Sequence, residues 1–236
     1  MKKLGVIGGM GPMATQVLYK RIIEKTDASC DQEHIDMIIL SHASIPDRTK
    51  SIKEGKTKEL LGILSEDAKM LENNGASAIA IPCNTSHCLI EDIQKSVNIP
   101  IINMVRETIE HIKNENPNIK KIGILATDGT NFTGIYKKEC ERLGIEAIIP
   151  DTDTQKIVMS IIYDQIKAGQ KGNMDDFLKI DKYLKSMGCE AGILACTELS
   201  CFAKNYLLDS FYVDALEILC DKSILLCGGK LKEIKE

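Results

Sequence analysis

The sequence of 236 residues lacks the features that mark several classes of protein. No apolar run approaches the roughly 20 residues that a transmembrane helix needs, so a membrane-spanning protein is not expected. The apolar run after Met1-Lys2-Lys3 is short and broken by glycines, and it predicts a first strand rather than a secretory signal. The formal net charge of −4 offers no basic surface for nucleic acid or for an anionic membrane.

Signatures of disulfides and of linkers are also missing. The nine cysteines form no C-x-x-C pair, and an odd number cannot pair completely. With no secretory signal, we expect reduced thiols in the cytoplasm. No low-complexity segment or long linker interrupts the chain, whose hydrophobic share of 44% and charged share of 27% are ordinary for a globular protein. The length therefore fits one large domain or two small ones.

Short β-rich runs alternate with longer helical patterns along the chain. The predicted strands are 3–8, 36–41, 78–82, 99–102, 121–126, 146–150, 191–195 and 211–213. The predicted helices are 14–26, 57–73, 90–96, 104–114, 132–143, 154–168, 174–187 and 215–226. This alternation predicts an α/β fold with mostly parallel sheets, covered by helices and joined by right-handed crossovers.

Two segments of the chain nearly repeat each other. Residues 75–85 read GASAIAIPCNT and residues 188–198 read GCEAGILACTE, so each leads to a cysteine, Cys83 or Cys196. Each short apolar run fits a buried parallel strand whose carboxyl end carries the polar residues. Ligands of α/β sheets bind at such strand ends, so the sequence predicts two thiols at equivalent places in two related halves. Pro117 is the predicted seam between the halves.

A second pair of turns repeats in the same way. The turn 8–12, GGMGP, follows the first predicted strand, and Thr127, Gly129 and Thr130 follow the strand that opens the second half. The first turn lacks the G-x-G-x-x-G spacing of dinucleotide sites, so nucleotide binding is not expected. Backbone N–H groups and hydroxyls in these turns fit a small anion such as a carboxylate. The alternative is a plain strand-to-helix connection without a ligand.

Two cations near predicted element ends have more than one interpretation. Arg48 follows the second strand, where its guanidinium suits a bidentate pair with a carboxylate. A local ion pair with Asp47 is the simpler interpretation from the residues alone. Lys167, close to Gly169, is by itself typical of a solvated charge at a helix end.

A metal site is an alternative use of the cysteines. Cys83, His87 and Cys88 lie close in sequence, and Cys196 is a further ligand if it approaches them in space. The spacings of structural zinc sites are missing, so a metal is not expected. His87 is predicted to satisfy the start of the helix after Cys83. The other seven cysteines are predicted to be buried apolar residues or incidental surface thiols.

Two opposed thiols suit proton exchange at a carbon atom. A thiolate on one face of a substrate removes a proton, and a thiol on the other face returns one, which inverts the stereocentre. A free cysteine has a pKa of about 8.5, so the site must stabilise the thiolate, for which nearby N–H groups and the Asn84 amide are candidates. No pyridoxal-type lysine signature is present, so no cofactor is expected.

At these residues the chain resembles the aspartate/glutamate racemase superfamily and, within it, the aspartate racemases. The matching segments occur in the expected order along almost the whole chain: GVIGGMGPMAT at 5–15, DQEH at 31–34, IPDRT at 45–49, PCNTSH at 82–87, LATDGT at 125–130, IYDQIKAG at 162–169 and ACTELS at 195–200.

The resemblance implies an architecture and a reaction. It implies two pseudo-symmetric three-layer α/β domains, each with a mostly parallel sheet, and an active site in the cleft between them. The carboxyl-terminal segment is implied to return to the first domain, which gives residues 1–102 with 210–236 in one domain and 103–209 in the other. The implied reaction is racemisation by two bases without a cofactor, usually in a homodimer.

The resemblance also implies roles for individual residues. Cys83 and Cys196 match the catalytic cysteines, and Arg48 and Lys167 match the positive residues that aspartate-selective members direct at the side-chain carboxylate. The positions that bind or cover the amino-acid head group match Met10, Asn84, Thr85, Thr127, Thr130 and Thr197. Glu198 stands where glutamate racemases carry a histidine, which favours aspartate. A broad-specificity or glutamate racemase, a non-catalytic dicarboxylate-binding protein and a metal-dependent hydrolase are the alternatives.

Overall fold

The chain, seen in a computed structural model that describes residues 1–233, divides into two units. The first unit contains Met1–Met104 and the segment that begins at Leu216, and the second contains Val105–Ala215. The resemblance implies boundaries after residues 102 and 209, which lie a few residues earlier in the chain than these. Residues 212–214 pair with a strand of the second unit, which explains why the chain leaves that unit later.

The elements alternate along the chain, as the sequence predicts. The strands are β1 (Leu4–Gly8), β2 (Met37–Ser41), β3 (Ala78–Ala80), β4 (Lys121–Ala126), β5 (Glu146–Ile148), β6 (Ala191–Ala195) and β7 (Tyr212–Asp214). The helices are α1 (Pro12–Lys25), α2 (Arg48–Lys53), α3 (Thr57–Asn73), α4 (Ile90–Gln94), α5 (Met104–Glu115), α6 (Asp128–Thr133), α7 (Ile135–Arg142), α8 (Thr152–Ser160), α9 (Met174–Ser186), α10 (Thr197–Asn205) and α11 (Ala215–Leu226). Short 3-10 helices cover Asp31–Glu33 and Thr85–Leu89, and a π-helix covers Ile161–Ile166.

Each unit contains a parallel sheet with the same strand order at its centre. The order is β2-β1-β3 in the first unit and β5-β4-β6-β7 in the second. Leu4 of β1 pairs with Ala78 of β3, and Ile122 of β4 pairs with Ala191 of β6. The predicted α/β class with a parallel sheet in each half is confirmed, and the repeat in the sequence corresponds to a repeat of topology.

Single residues explain two differences from the predicted elements. The predicted strand 99–102 is only an isolated bridge between Ile79 and Ile101, because Pro100 has no N–H to continue a ladder. Gly134, with a φ of 66°, ends α6 and begins α7, so the predicted helix 132–143 is divided there.

Apolar periodicity did not predict α2, α6 and α10. Each of these helices begins at or next to a residue of the predicted site. The Asp47 carboxylate caps α2 by accepting from the Lys50 N–H at 2.8 Å. The Thr127 hydroxyl caps α6 by accepting from the Thr130 N–H at 3.2 Å. Cys196 is the N-cap of α10. These short helices present the candidate residues at the carboxyl ends of the strands.

Each sheet packs against its own apolar core. In the first unit, Ile79 of β3 and Leu64 of α3 are fully buried. In the second, the rings of Phe177 and Phe202 stack with their centres 4.9 Å apart. Burying one such side chain contributes roughly 1.5–3 kcal/mol. Every helix within residues 1–233 is too short or too polar to cross a membrane.

Candidate functional site

The glycine turn after β1 is held by a threonine of α1. Gly9 has a φ of 86°, and a Cβ there would lie 2.5 Å from the carbonyl carbon of His42, so the position requires glycine. The Gly9 N–H donates to Thr15 Oγ1 at 2.9 Å, and that hydroxyl donates to the Gly11 carbonyl oxygen at 3.1 Å. A Cβ at Gly8 would lie 2.5 Å from Thr15 Cγ2. Thr15, which sequence reasoning did not single out, therefore fixes the shape of the turn.

Met10 and Arg48 lie together at this turn. The Arg48 side chain is buried, and its Nη2 donates to the Met10 carbonyl oxygen at 3.3 Å. Arg48 Nη1 donates to the carbonyl oxygens of Ile45 and Pro46 at 3.2 and 2.9 Å. The Ser86 hydroxyl donates to the Met10 sulfur at 3.6 Å. Met10 therefore connects the arginine to the loop that carries Ser86.

That loop also contains the first cysteine, which lies beyond the carboxyl end of β3. Cys83, Asn84 and Thr85 are all buried. His87 Nε2 accepts from the Met104 N–H at 3.1 Å, so Nδ1 is the protonated nitrogen and donates to the Cys83 carbonyl oxygen at 2.9 Å. Burial lowers the pKa of His87, which is therefore neutral at pH 7. The histidine satisfies the start of α5, and the prediction that it serves the next helix after Cys83 was wrong.

In the second unit, the turn after β4 is held by a glutamine. The hydroxyls of Thr127 and Thr130 lie 3.1 Å apart at the start of α6. Gln155 Nε2 donates to the Ala126 carbonyl oxygen and to Asp128 Oδ1, both at 3.0 Å. Gln155 lies on α8, far from the turn in sequence, so no local pattern indicated its role.

The second cysteine has a carboxylate as its hydrogen-bond partner. Cys196 is buried at the start of α10, and its sulfur donates to Glu198 Oε2 at 2.9 Å. Burial raises the pKa of Cys196 well above its ordinary value, and the charge of Glu198 and this hydrogen bond raise it further. The thiol form is therefore favoured at neutral pH. Sequence reasoning gave Glu198 no chemical role, although an acidic residue two positions after a helix-capping cysteine is a usable signal.

Lys167 directly follows the π-helix. Its N–H donates to the Ile162 carbonyl oxygen, five residues earlier, at 3.0 Å. Lys167 Nζ lies 3.7 Å from Glu198 Oε1 and 4.4 Å from the centre of the Tyr163 ring. Single π turns are frequent at functional sites. Lys167 is thus an ion-pair partner of Glu198, and the interpretation as a solvated helix-end charge was wrong.

A groove on the second unit adjoins these residues. Its volume is about 640 Å³, and it is lined by Asp128, Pro150, Thr152, Gln155, Lys156, Met159, Ser160, Tyr163 and Asp164. Gln155 and Asp128 belong to the threonine turn, and the Tyr163 ring contacts Lys167. The groove therefore extends from the turn that contains Thr127 and Thr130 to the neighbourhood of Lys167.

The structure divides the ten predicted site residues equally between the units. The first unit contains Met10, Arg48, Cys83, Asn84 and Thr85, and the second contains Thr127, Thr130, Lys167, Cys196 and Thr197. Within residues 1–233, no three His, Cys, Asp or Glu side chains are arranged to hold a metal ion.

Comparison with known proteins places this chain among racemases. A family model described as Asp/Glu/Hydantoin racemase matches residues 7–219. The chain is 31% identical over 152 residues to the broad specificity amino-acid racemase RacX of Bacillus subtilis, a match that covers 63% of this chain and 64% of that protein. The chain thus spans less than two thirds of the length of that relative.

Solved structures with the same fold include an aspartate racemase and an aspartate racemase homologue. The aspartate racemase of Picrophilus torridus is 29% identical, with a TM-score of 0.80 and coverage of 98% of this chain and 96% of that one. An aspartate racemase homologue from Pyrococcus horikoshii OT3 is 30% identical, with a TM-score of 0.76 and coverage of 96% and 99%. The glutamate racemase of Francisella tularensis, at 19% identity over 95% of this chain and 80% of that one, shares the fold with a TM-score of 0.67.

Proposed function

Because the chain belongs to the Asp/Glu/Hydantoin racemase family, we propose that it interconverts L- and D-aspartate without a cofactor, with Cys83 and Cys196 as the proton-transfer groups. Two thiols in equivalent positions carry this proposal. Each is buried and follows the strand that pairs with the first strand of its unit, β3 for Cys83 and β6 for Cys196. Each unit thus presents one thiol at the end of a sheet where α/β proteins bind ligands.

In the proposed reaction, the two cysteines act on opposite faces of the substrate. One of them, as a thiolate, removes the Cα proton, and the electron pair of the broken C–H bond stays on the substrate. The other, as a thiol, gives its proton to the opposite face. Burial and the Glu198 carboxylate raise the pKa of Cys196 and favour its thiol form, so it must lose its proton before it acts as the base, and Glu198 lies at hydrogen-bond distance to accept it.

Proton transfer needs support from groups that bind the substrate. General acid–base catalysis contributes about 10²–10⁴-fold, so preorganised donors must also stabilise the charge that develops on the α-carboxylate. The proposed donors are the glycine turn with Met10 and the residues Asn84, Thr85, Thr127, Thr130 and Thr197.

The proposed preference for aspartate depends on two cations. Arg48 and Lys167 each supply a positive charge for the side-chain carboxylate, and a guanidinium suits bidentate binding. The similarity to the Picrophilus torridus aspartate racemase supports this substrate. The alternative is a broad-specificity or glutamate racemase, which the similarity to the Bacillus subtilis relative favours.

Incubation with L-aspartate in deuterium oxide tests the reaction. We expect D-aspartate that carries deuterium at Cα, detected by chiral chromatography and mass spectrometry, from protein dialysed free of small molecules. Cys83→Ser and Cys196→Ser should each abolish racemisation, whereas Cys30→Ser, at an exposed position, should leave it intact. If aspartate binds but no deuterium enters it, a non-catalytic binding protein replaces this proposal.

Substrate profiling tests the preference for aspartate. Arg48→Ala should lower kcat/KM for aspartate far more than for alanine, because only aspartate has a second carboxylate. Arg48→Lys keeps the charge and should retain part of the preference. Aspartate turnover that survives Arg48→Ala intact would show that Arg48 does not bind the side-chain carboxylate.

We also propose that the active form is a homodimer in the cytoplasm, where a reducing environment keeps both reacting thiols free. Sedimentation of the purified chain checks the dimer, since a monomer at assay concentration with full activity would contradict it.

A further inference from the structure

Cys196 lies at one end of a short chain of polar contacts in the second unit. Its sulfur donates to Glu198 Oε2 at 2.9 Å, and the other oxygen of Glu198 lies 3.7 Å from Lys167 Nζ. The Glu198 side chain is 9% exposed and the Lys167 side chain is 27% exposed. A ligand in solution therefore reaches this chain of contacts more easily at Lys167 than at the carboxylate.

The neighbours of Cys196 have opposing effects on its proton. Burial and the Glu198 carboxylate raise the pKa of Cys196, whereas a hydrogen bond from the Glu198 backbone N–H and the charge of Lys167 lower it. The N-terminus of α10 also favours a negative charge on the sulfur. One proton thus has two acceptors, the sulfur and Oε2, and Lys167 stabilises the arrangement in which Glu198 carries the negative charge.

We propose that the side-chain carboxylate of an acidic substrate draws Lys167 away from Glu198, and that Glu198 then takes the proton from Cys196. The S–H bond breaks, an O–H bond forms at Glu198 Oε2, and the electron pair stays on the sulfur as the thiolate. Lys167 keeps its charge and pairs with the substrate carboxylate. This inference rests on the proposed racemase function and on the proposed role of Lys167.

The consequence is that the substrate is selected in kcat as well as in binding. A neutral amino acid leaves Lys167 beside Glu198, so the Cys196 thiolate stays scarce and turnover is slow in both directions. An acidic substrate brings the two proton positions close in energy, so Cys196 serves as the base for one enantiomer and the acid for the other. A positive charge as close to a carboxylate as Lys167 is to Glu198 changes the protonation equilibrium of that carboxylate by about 10- to 1000-fold.

Other titratable groups face this chain of contacts from α7, β7 and the π-helix. Burial raises the pKa of Tyr136 on α7, and a negative charge on Cys196 would raise it further, so Tyr136 stays neutral. Asp214 of β7 accepts from the Ser200 hydroxyl at 2.6 Å. Tyr163 places its ring against Lys167. Since the sulfur donates to Glu198 itself, we assign the transferred proton to that carboxylate.

Infrared difference spectroscopy with succinate tests the transfer, because succinate has two carboxylates but is not racemised. On binding, the S–H stretch of Cys196 should weaken and a C=O stretch of a protonated carboxyl group should appear. Both changes should be missing in Cys196→Ser and Glu198→Gln. Butyrate, the monocarboxylate of equal length, should leave the S–H stretch unchanged. An unchanged S–H stretch at saturating succinate, or no succinate binding by calorimetry, would overturn the proposal.

Variants of Lys167 test whether its movement away from Glu198 causes the proton transfer. Lys167→Met should show the protonated carboxyl group without any ligand, and Lys167→Arg should restore the dependence on succinate. Lys137→Met, which removes an exposed lysine of α7, is the matched control and should give the wild-type spectrum.

Kinetics separate this proposal from the function on which it rests. We expect Glu198→Gln to lower kcat for aspartate at least about tenfold, with a smaller change in KM. A chain that racemises no amino acid yet transfers the proton with succinate refutes the proposed function alone. A chain that racemises aspartate without the transfer refutes this inference alone.

Discussion

Thr15→Val replaces a hydroxyl by a methyl group of similar size in the contact between α1 and the glycine turn. The Gly9 N–H, which donates to that hydroxyl at 2.9 Å in a buried bond, loses its acceptor. The Gly11 carbonyl oxygen keeps a donor, because the backbone N–H of residue 15 also bonds to it at 3.2 Å. The substitution therefore leaves one buried donor unsatisfied and changes little else.

The expected magnitude follows from that single donor. An unsatisfied buried N–H costs about 1–3 kcal/mol, so a loss of about 2 kcal/mol should lower Tm by about 4–8 °C in a chain of this size. The turn also carries Met10, whose carbonyl oxygen accepts from Arg48. Because misplacing a binding group by about 1 Å can cost about 10²-fold, we expect kcat/KM for aspartate to fall at least about tenfold.

Thermal unfolding followed by circular dichroism and the aspartate assay measure the two effects. Thr15→Ser is the matched control, because it keeps the hydroxyl but loses the methyl group that packs against Gly8. It should cost about 1 kcal/mol of stability and retain racemisation. A Thr15→Val protein that unfolds at the wild-type temperature, or that is as active as Thr15→Ser, would contradict the proposed role of the hydroxyl.

Two further predictions concern stability. Gly134→Ala should lower the free energy of unfolding by about 1–2 kcal/mol, because a φ of 66° strains a residue that has a Cβ. Gly62→Ala inside α3, where a Cβ meets open space, should instead raise the free energy of unfolding by up to about 1 kcal/mol. Urea titrations of both variants measure these changes. Equal changes in the two variants would contradict backbone strain at position 134. Burial lowers the pKa of folded His87, so the unfolded chain binds the proton first and the free energy of unfolding should fall as the pH drops below about 6.5. That decrease should be smaller in His87→Gln, and an unchanged decrease would assign it to other groups.

Much of the fold follows from local patterns, as α3 and α11 illustrate. Their predicted bounds, 57–73 and 215–226, are those of the structure, because α3 has one apolar face along its whole length and α11 is apolar over most of its residues. The π-helix at Ile161–Ile166 could not be predicted in this way. Its hydrogen bonds span one residue more than those of an α-helix, and the segment, which continues α8, packs against α10, a contact that no pattern within the segment indicates.

The candidate site was predictable where it depends on the repeat and not where it depends on distant contacts. Cys83 and Cys196 stand out because both follow a short apolar run in repeated segments. Thr15 and Gln155 act from helices on turns that are distant or offset in sequence, so no spacing marks them. Glu198 contacts the thiol because α10 begins at Thr197, a start that apolar periodicity did not indicate.

The topological repeat does not extend to the proton chemistry of the two thiols. Glu198 stands two positions after Cys196 and accepts from its sulfur, whereas Thr85 stands two positions after Cys83. The α-helix that follows Cys196 favours a thiolate there, which opposes the effect of the carboxylate. L- and D-aspartate have equal free energies in water, so kcat/KM must be the same in both directions whatever the thiols are. If the two thiols differ in acidity, kcat and KM change together. We therefore expect kcat and KM each to differ between L- and D-aspartate, while kcat/KM is the same for both.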